Sequence, residues 1–157
     1  MYLLMRLEKP LKCYDKMNLA ERQEEIIAEF EFLHDWMEKY EHIIELGKSL
    51  PLIHPQYKTP EYIIKGCQSQ VWLHAELKDG KIIYTADSDA IITKGLIALM
   101  IRALSGLTPD EIINADLFFI DKIGLKEHLS PTRSNGLLSM VKQMKLYAIA
   151  FKAKQTN

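Results

Sequence analysis

The chain has 157 residues, enough for one ordinary domain and too few for two. Its 20 Lys and Arg against 21 Asp and Glu leave a net charge of -1, without the basic excess that generic nucleic-acid binding needs. With 48% apolar and 26% charged residues it is neither a disordered nor a collagen-like polypeptide.

Two cysteines, Cys13 and Cys67, are too few for a cystine framework or a four-cysteine zinc site, and fit a reducing, cytoplasmic compartment. The apolar run at Met1–Met5 is shorter than a signal-peptide core and precedes Arg6 instead of following a basic segment, so no export signal is expected. The most apolar stretch, Ala90 to Leu104, is interrupted by Thr93, Lys94 and Arg102 and falls short of the roughly 20 residues of a membrane span. It reads as a buried helix.

Met1 to Met17 has neither a helical nor an alternating period and is expected to be a loose extension ahead of a single domain over 18–157. Asn18-Leu-Ala-Glu21 has capping-box spacing, and Ile26, Phe30, Leu33 and Met37 follow at steps of three and four, predicting a helix to about Leu33. Asp35-Trp-Met-Glu38 repeats the signature, with Trp36, Tyr40, Ile43, Gly47 and Leu50 as the next stripe until Pro51; the pair is expected to form a helical hairpin. Three prolines between Pro51 and Pro60 predict a surface loop.

From Gln70 to Leu77 the residues alternate, with Val71, Leu73, Ala75 and Leu77 on one face. Asp79-Gly80 favours a type I′ turn, and closing it pairs Leu77 with Ile82, Ala75 with Tyr84 and Leu73 with Ala86, all on that face. Asp87-Ser-Asp89 supplies oxygens to cap the Ala90–Ser105 helix. Thr108-Pro-Asp-Glu111 opens a short helix ending near Asn114, and another is expected over Leu117–Ile123. Ser134 is expected to cap a last helix with Leu137, Val141, Met144, Ala148 and Phe151 inward and Lys142, Lys145 and Lys152 in water.

Cys67 lies between two extended segments, directly after a glycine and among polar residues. Gly66 permits φ > 0, so the backbone can turn and present the cysteine at a loop tip, and Lys65 is placed to stabilise a thiolate. On the residues alone Cys67 is a reactive thiol or a small buried hydrophobe. A redox pair with Cys13 lacks the C-x-x-C spacing, and His34, His42, His54, His74 and His128 show no metal-ligand spacing. Cysteine hydrolysis needs a histidine that only the fold can bring to Cys67. Trp72, on the polar face of its strand, is either covered by a neighbouring loop or part of a partner-binding patch.

Gly66-Cys-Gln-Ser-Gln-Val-Trp72 resembles the SufE family of sulfur acceptor proteins. The resemblance continues through Tyr40-Glu-His-Ile-Ile-Glu-Leu-Gly47, Asp87-Ser-Asp-Ala90 with Lys94-Gly95, and Leu129-Ser-Pro-Thr-Arg-Ser-Asn-Gly-Leu137. Met1–Met17 departs from the family's usual short start, consistent with a misassigned initiation site. The resemblance implies an α+β fold, with an antiparallel sheet of about three strands flanked by helices, similar to the IscU-type scaffolds. It implies that Cys67 accepts a persulfide sulfur from a SufS-like, PLP-dependent cysteine desulfurase, stimulating that enzyme, and passes it to a SufB-like iron–sulfur scaffold. PLP belongs to the desulfurase, and no cofactor, metal, nucleic acid or membrane is expected for this chain, which is a monomer or homodimer. Lys65, Gly66, Gln68, Ser69, Trp72, Asp89 and Arg133 are the implied loop and partner-binding residues; Asp89 and Arg133 have the alternative roles of helix cap and surface charge. The other functional readings are a desulfurase activator whose Cys67 carries no sulfur and an independent cysteine hydrolase.

Overall fold

The computed structural model describes residues 17–155. The loose extension expected over Met1–Met17, Cys13 included, lies outside these residues except for Met17. Among the described residues the architecture is α+β: helices α1 (Leu19–Glu31) and α2 (Trp36–Lys48), two 3-10 turns (Pro55–Tyr57 and Pro60–Tyr62), strands β1 (Val71–Lys78) and β2 (Lys81–Ser88), and helices α3 (Ile91–Leu104), α4 (Pro109–Ile113), α5 (Phe119–Lys122), α6 (Leu125–His128) and α7 (Pro131–Gln155).

The hairpin register is the one the alternation predicts: Leu77 faces Ile82, Ala75 faces Tyr84 and Leu73 faces Ala86. Asp79 and Gly80 turn the chain with φ of 52° and 78°. Where about three strands were expected there are two. The flanking segments pair with the hairpin only as isolated bridges among the described residues, Ile63 to Trp72, Leu52 to Ala86 and Leu107 to Ile82, and add no third strand. Pro51, Pro55 and Pro60 punctuate the stretch ahead of β1, and proline cannot donate to a ladder.

The apolar face of the hairpin lies on α3, whose residues from Leu96 to Leu104 are buried all round. Helix α7 closes the core. Tyr84 Oη donates to the Met144 carbonyl at 2.6 Å and Tyr147 Oη to that of Leu73 at 2.9 Å, so the hairpin and α7 are joined where both polar ends are satisfied.

Helices α1 and α2 begin where their caps predict, on Asn18 and Asp35. They are not chiefly packed on each other as a hairpin: α2 lies along α3, and α1 divides its contacts between α3 and α5. Gly47 and Gly95 let α2 and α3 meet backbone to backbone. A Cβ on Gly95 would overlap the Ile43 carbonyl, and one on Gly47 would stand 3.0 Å from the Gly95 nitrogen.

Three further expectations change. The Asp87–Asp89 carboxylates do not cap α3. No side chain caps it: Ser88 Oγ accepts the N–H of Ala90, the residue just ahead of the helix, at 3.2 Å, Asp87 pairs with Lys58 at 3.0 Å and Lys94 at 3.4 Å, and Asp89 is engaged elsewhere. Helix α7 starts earlier than Ser134. Pro131 occupies its first position, Ser130 Oγ accepts the Arg133 N–H at 3.3 Å, and Ser134 is already inside the helix, donating to the Ser130 carbonyl. Lys145 is partly buried rather than left to water, its Nζ donating to the Ala115 carbonyl at 2.7 Å.

Candidate functional site

Ile64 N–H donates to the Val71 carbonyl at 2.8 Å and pinches the intervening residues into a short loop with Cys67 in its middle. Asp89 Oδ1 accepts the Gln70 N–H at 3.0 Å, and Ser88 Oγ donates to the Gln70 carbonyl at 2.9 Å, tying the far end of the loop to the start of α3. Asp89 therefore bonds the end of the loop and does not cap α3. At the near end Gly66 takes φ of 99°, and a Cβ there would overlap Ser139 Oγ on α7. The backbone favours glycine, and a side chain there would also have to displace that of Ser139.

This turn points Cys67 inward. The half-buried thiol donates to the Gly136 carbonyl of α7 at 3.5 Å and faces a cavity of about 90 Å³. Gln68 and Ser69 line it from the loop, Thr93 and Leu96 from α3, and Thr132, Arg133, Gly136 and Met140 from α7. Burial pushes the thiol pKa up from its ordinary value. In this conformation Cys67 is a sheltered thiol and not a poised thiolate.

The cavity thus gathers Cys67, Gln68, Ser69 and Arg133 among the expected site residues. Lys65 does not join them. It is exposed beside Glu61, Ser139 and Lys142 in a separate depression, so its expected thiolate-stabilising role is not seen. Trp72 is not an open patch either: it is 9% exposed, bridges to Ile63 and lies under Lys58, whose Nζ is 4.8 Å from the ring centre.

No histidine lines the cavity among the described residues. His34 accompanies Glu38, His42 is buried against Phe30, His54 accepts the Gln56 N–H, His74 stacks on Tyr57 at 3.7 Å and His128 on Trp36 at 4.0 Å. Among the described residues, the histidine that cysteine hydrolysis needs is not in the cavity lining.

Residues 24–148 match the family model for the SufE, Fe–S metabolism associated domain. The chain belongs to the SufE family. It is 40% identical over 131 residues to an uncharacterized SufE-like protein of Synechocystis sp., covering 83% of this chain and 82% of that one. A second uncharacterized SufE-like protein, from Rhizobium etli, is 44% identical over 127 residues, covering 78% and 86%. SufE-like protein 1, chloroplastic/mitochondrial, of Arabidopsis thaliana is 39% identical over 137 residues; this chain covers 37% of its length. In three dimensions the fold matches the solution structure of a hypothetical protein from Thermus thermophilus, with a TM-score of 0.69 at 19% identity, over 82% of this chain and 94% of that one.

As a SufE-family member the chain is associated with iron–sulfur metabolism. No helix among the described residues is long and apolar enough to cross a membrane. Five of the SufE cavity residues, Thr93, Leu96, Thr132, Gly136 and Met140, were not singled out from sequence. Thr93 and Gly136 did carry a signal, one as a polar residue in an apolar helix and the other as a glycine inside a helical pattern. Leu96 and Met140 look like any other core residue.

Proposed function

We propose that Cys67 is a sulfur acceptor, loaded by a SufS-like, PLP-dependent cysteine desulfurase and unloaded to a SufB-like iron–sulfur scaffold. The observation that carries this reading is the Cys67 thiol, directly after a glycine turn and beside a cavity with room for another sulfur atom. The loop swings out, the thiol loses its proton in water, and the thiolate attacks the outer sulfur of the donor persulfide. A bond forms from Cys67 Sγ to that sulfur as the donor's S–S bond breaks; the electron pair leaves on the donor cysteine, which can take up a proton. No net oxidation occurs and no second cysteine is needed. Returning inward shelters the persulfide from reductants. Arg133 at the cavity rim is placed to meet the partner or the charged sulfur. A reducing, cytoplasmic setting suits this chemistry because it keeps the resting thiol free.

The test is intact-protein mass spectrometry after incubation with a cysteine desulfurase, PLP and cysteine. Cys67 gains about 32 Da, reversible by reductant, and Cys67→Ser neither gains it nor stimulates the desulfurase. Full stimulation by Cys67→Ser without any adduct on the wild-type protein favours a non-carrying activator and sinks the acceptor reading.

A further inference from the structure

Gly136 lies inside the second turn of α7, where helix propensity favours almost any other residue, and it is buried against Cys67. A local rule broken at a functional cavity calls for a physical reason. Neither conformation nor a clash supplies one. A Cβ on Gly136 would stand 3.5 Å from Cys67 Sγ, 3.8 Å from its Cα and 3.9 Å from its Cβ, which is ordinary contact. The resting thiol would tolerate alanine.

The persulfide differs. In the thiol the S–H bond points at the Gly136 carbonyl oxygen, 3.5 Å from Sγ. An S–S bond of about 2.05 Å in that direction would bring the outer sulfur within about 1.5 Å of the oxygen, so loading must break this hydrogen bond and turn the new bond elsewhere in the cavity. A Cβ at 136 would bring the outer sulfur closer than its own 3.5 Å separation from Sγ in every S–S direction within about 70° of the Sγ–Cβ line.

We infer that Gly136 is a positioning residue whose missing side chain keeps a seat for the transferred sulfur. This rests on the acceptor reading above. Gly136 holds the thiol through its carbonyl and the persulfide through its vacant Cβ position, so one residue distinguishes the two states of Cys67. Filling the seat leaves the thiol in place and forces the persulfide toward the cavity mouth, where a reductant thiolate can take the outer sulfur as its own persulfide and return Cys67 as thiolate.

The experiment compares wild type with Gly136→Ala. Each is loaded with desulfurase, PLP and cysteine, separated from the enzyme and treated with dithiothreitol, and loss of the adduct of about 32 Da is followed by intact mass. The expected result is adduct loss about tenfold faster in Gly136→Ala, with iodoacetamide alkylation of the unloaded thiol within about twofold of wild type and no fall in melting temperature. Leu96→Val, added to Gly136→Ala, withdraws volume from the α3 side and slows the loss again. Equal persulfide lifetimes in wild type and Gly136→Ala overturn the seat and leave the acceptor reading standing. Unloaded Gly136→Ala alkylated about tenfold faster than wild type also overturns it, since the substitution then displaces the whole loop. If no adduct forms on wild type, the acceptor reading falls and the seat with it.

Discussion

On the acceptor reading, a thiol tucked under its own loop has to leave before it can react, and the strained backbone beside it is at Gly66. Its φ of 99° costs an L-residue about 1–2 kcal/mol, and the overlap with Ser139 adds to that. Gly66→Val is therefore expected to lift the loop off α7 without unfolding the core, which the loop touches only at its edge. Iodoacetamide should then modify Cys67 faster than in wild type, while single-turnover sulfur transfer slows because the thiol no longer returns to one geometry. Replacing Ser139 by glycine in the same chain removes the overlap but not the backbone strain, so it should restore part of the difference; wild-type rates of both reactions in Gly66→Val would show that the turn has no such role. The need for glycine at 66 was legible from a glycine placed directly before a cysteine. That Lys65 lines a different depression from Cys67 in this conformation was not, because neighbours in sequence can point to opposite sides of a turn.

At the scale of elements, legibility followed the strength of the local pattern. The β1–β2 register was readable because alternation and the Asp79-Gly80 turn independently demand the same pairing. Capping boxes placed the starts of α1 and α4 on Asn18 and Thr108. Where several oxygens compete, the pattern misleads. Asp87, Ser88 and Asp89 are all possible caps, yet Lys58, Lys94 and the Gln70 amide engage the carboxylates, the hydroxyl reaches only the Ala90 N–H ahead of the first turn, and no side chain caps α3. Helix α6, four residues long, has no period to detect, and it is held by stacking of His128 on Trp36 and by Tyr40 Oη donating to the His128 carbonyl at 2.6 Å. The cavity shares this limit. It is built from a loop and two helices far apart in sequence, and no periodicity reports which apolar residues of α3 and α7 meet beneath the loop.

At the scale of the whole molecule, a buried histidine outside the Cys67 cavity sets a pH dependence. His42 is 3% exposed, with the Phe30 ring edge-on at 5.1 Å, Arg102 and Glu45 nearby, and no hydrogen-bond partner on either ring nitrogen among the described residues; Arg102 in turn pairs with Glu29. Burial, assisted by the Arg102 charge and opposed by Glu45, lowers its pKa to about 4. The folded protein thus keeps the ring neutral while the unfolded chain binds a proton near the ordinary 6.5. Stability is complete above that value and drains as pH falls toward 4, by up to about 3 kcal/mol. Urea unfolding at pH 7.5 and pH 5 should show the loss, and His42→Leu should reduce it; an unchanged slope in that variant would assign the effect to other groups. The glycine contact between α2 and α3 has a separate mechanical consequence. With no side chain to act as a bearing, α3 can neither slide nor roll against α2 without driving one backbone into the other, so the wall carrying Thr93 and Leu96 is stationary and the compartment has one moving side. Amide hydrogen exchange should record that asymmetry: rapid, urea-insensitive exchange at residues 66–69, and exchange in the middle of α3 only through global unfolding. Equal exchange rates in the two segments would mean that the sulfur is sheltered between two moving parts.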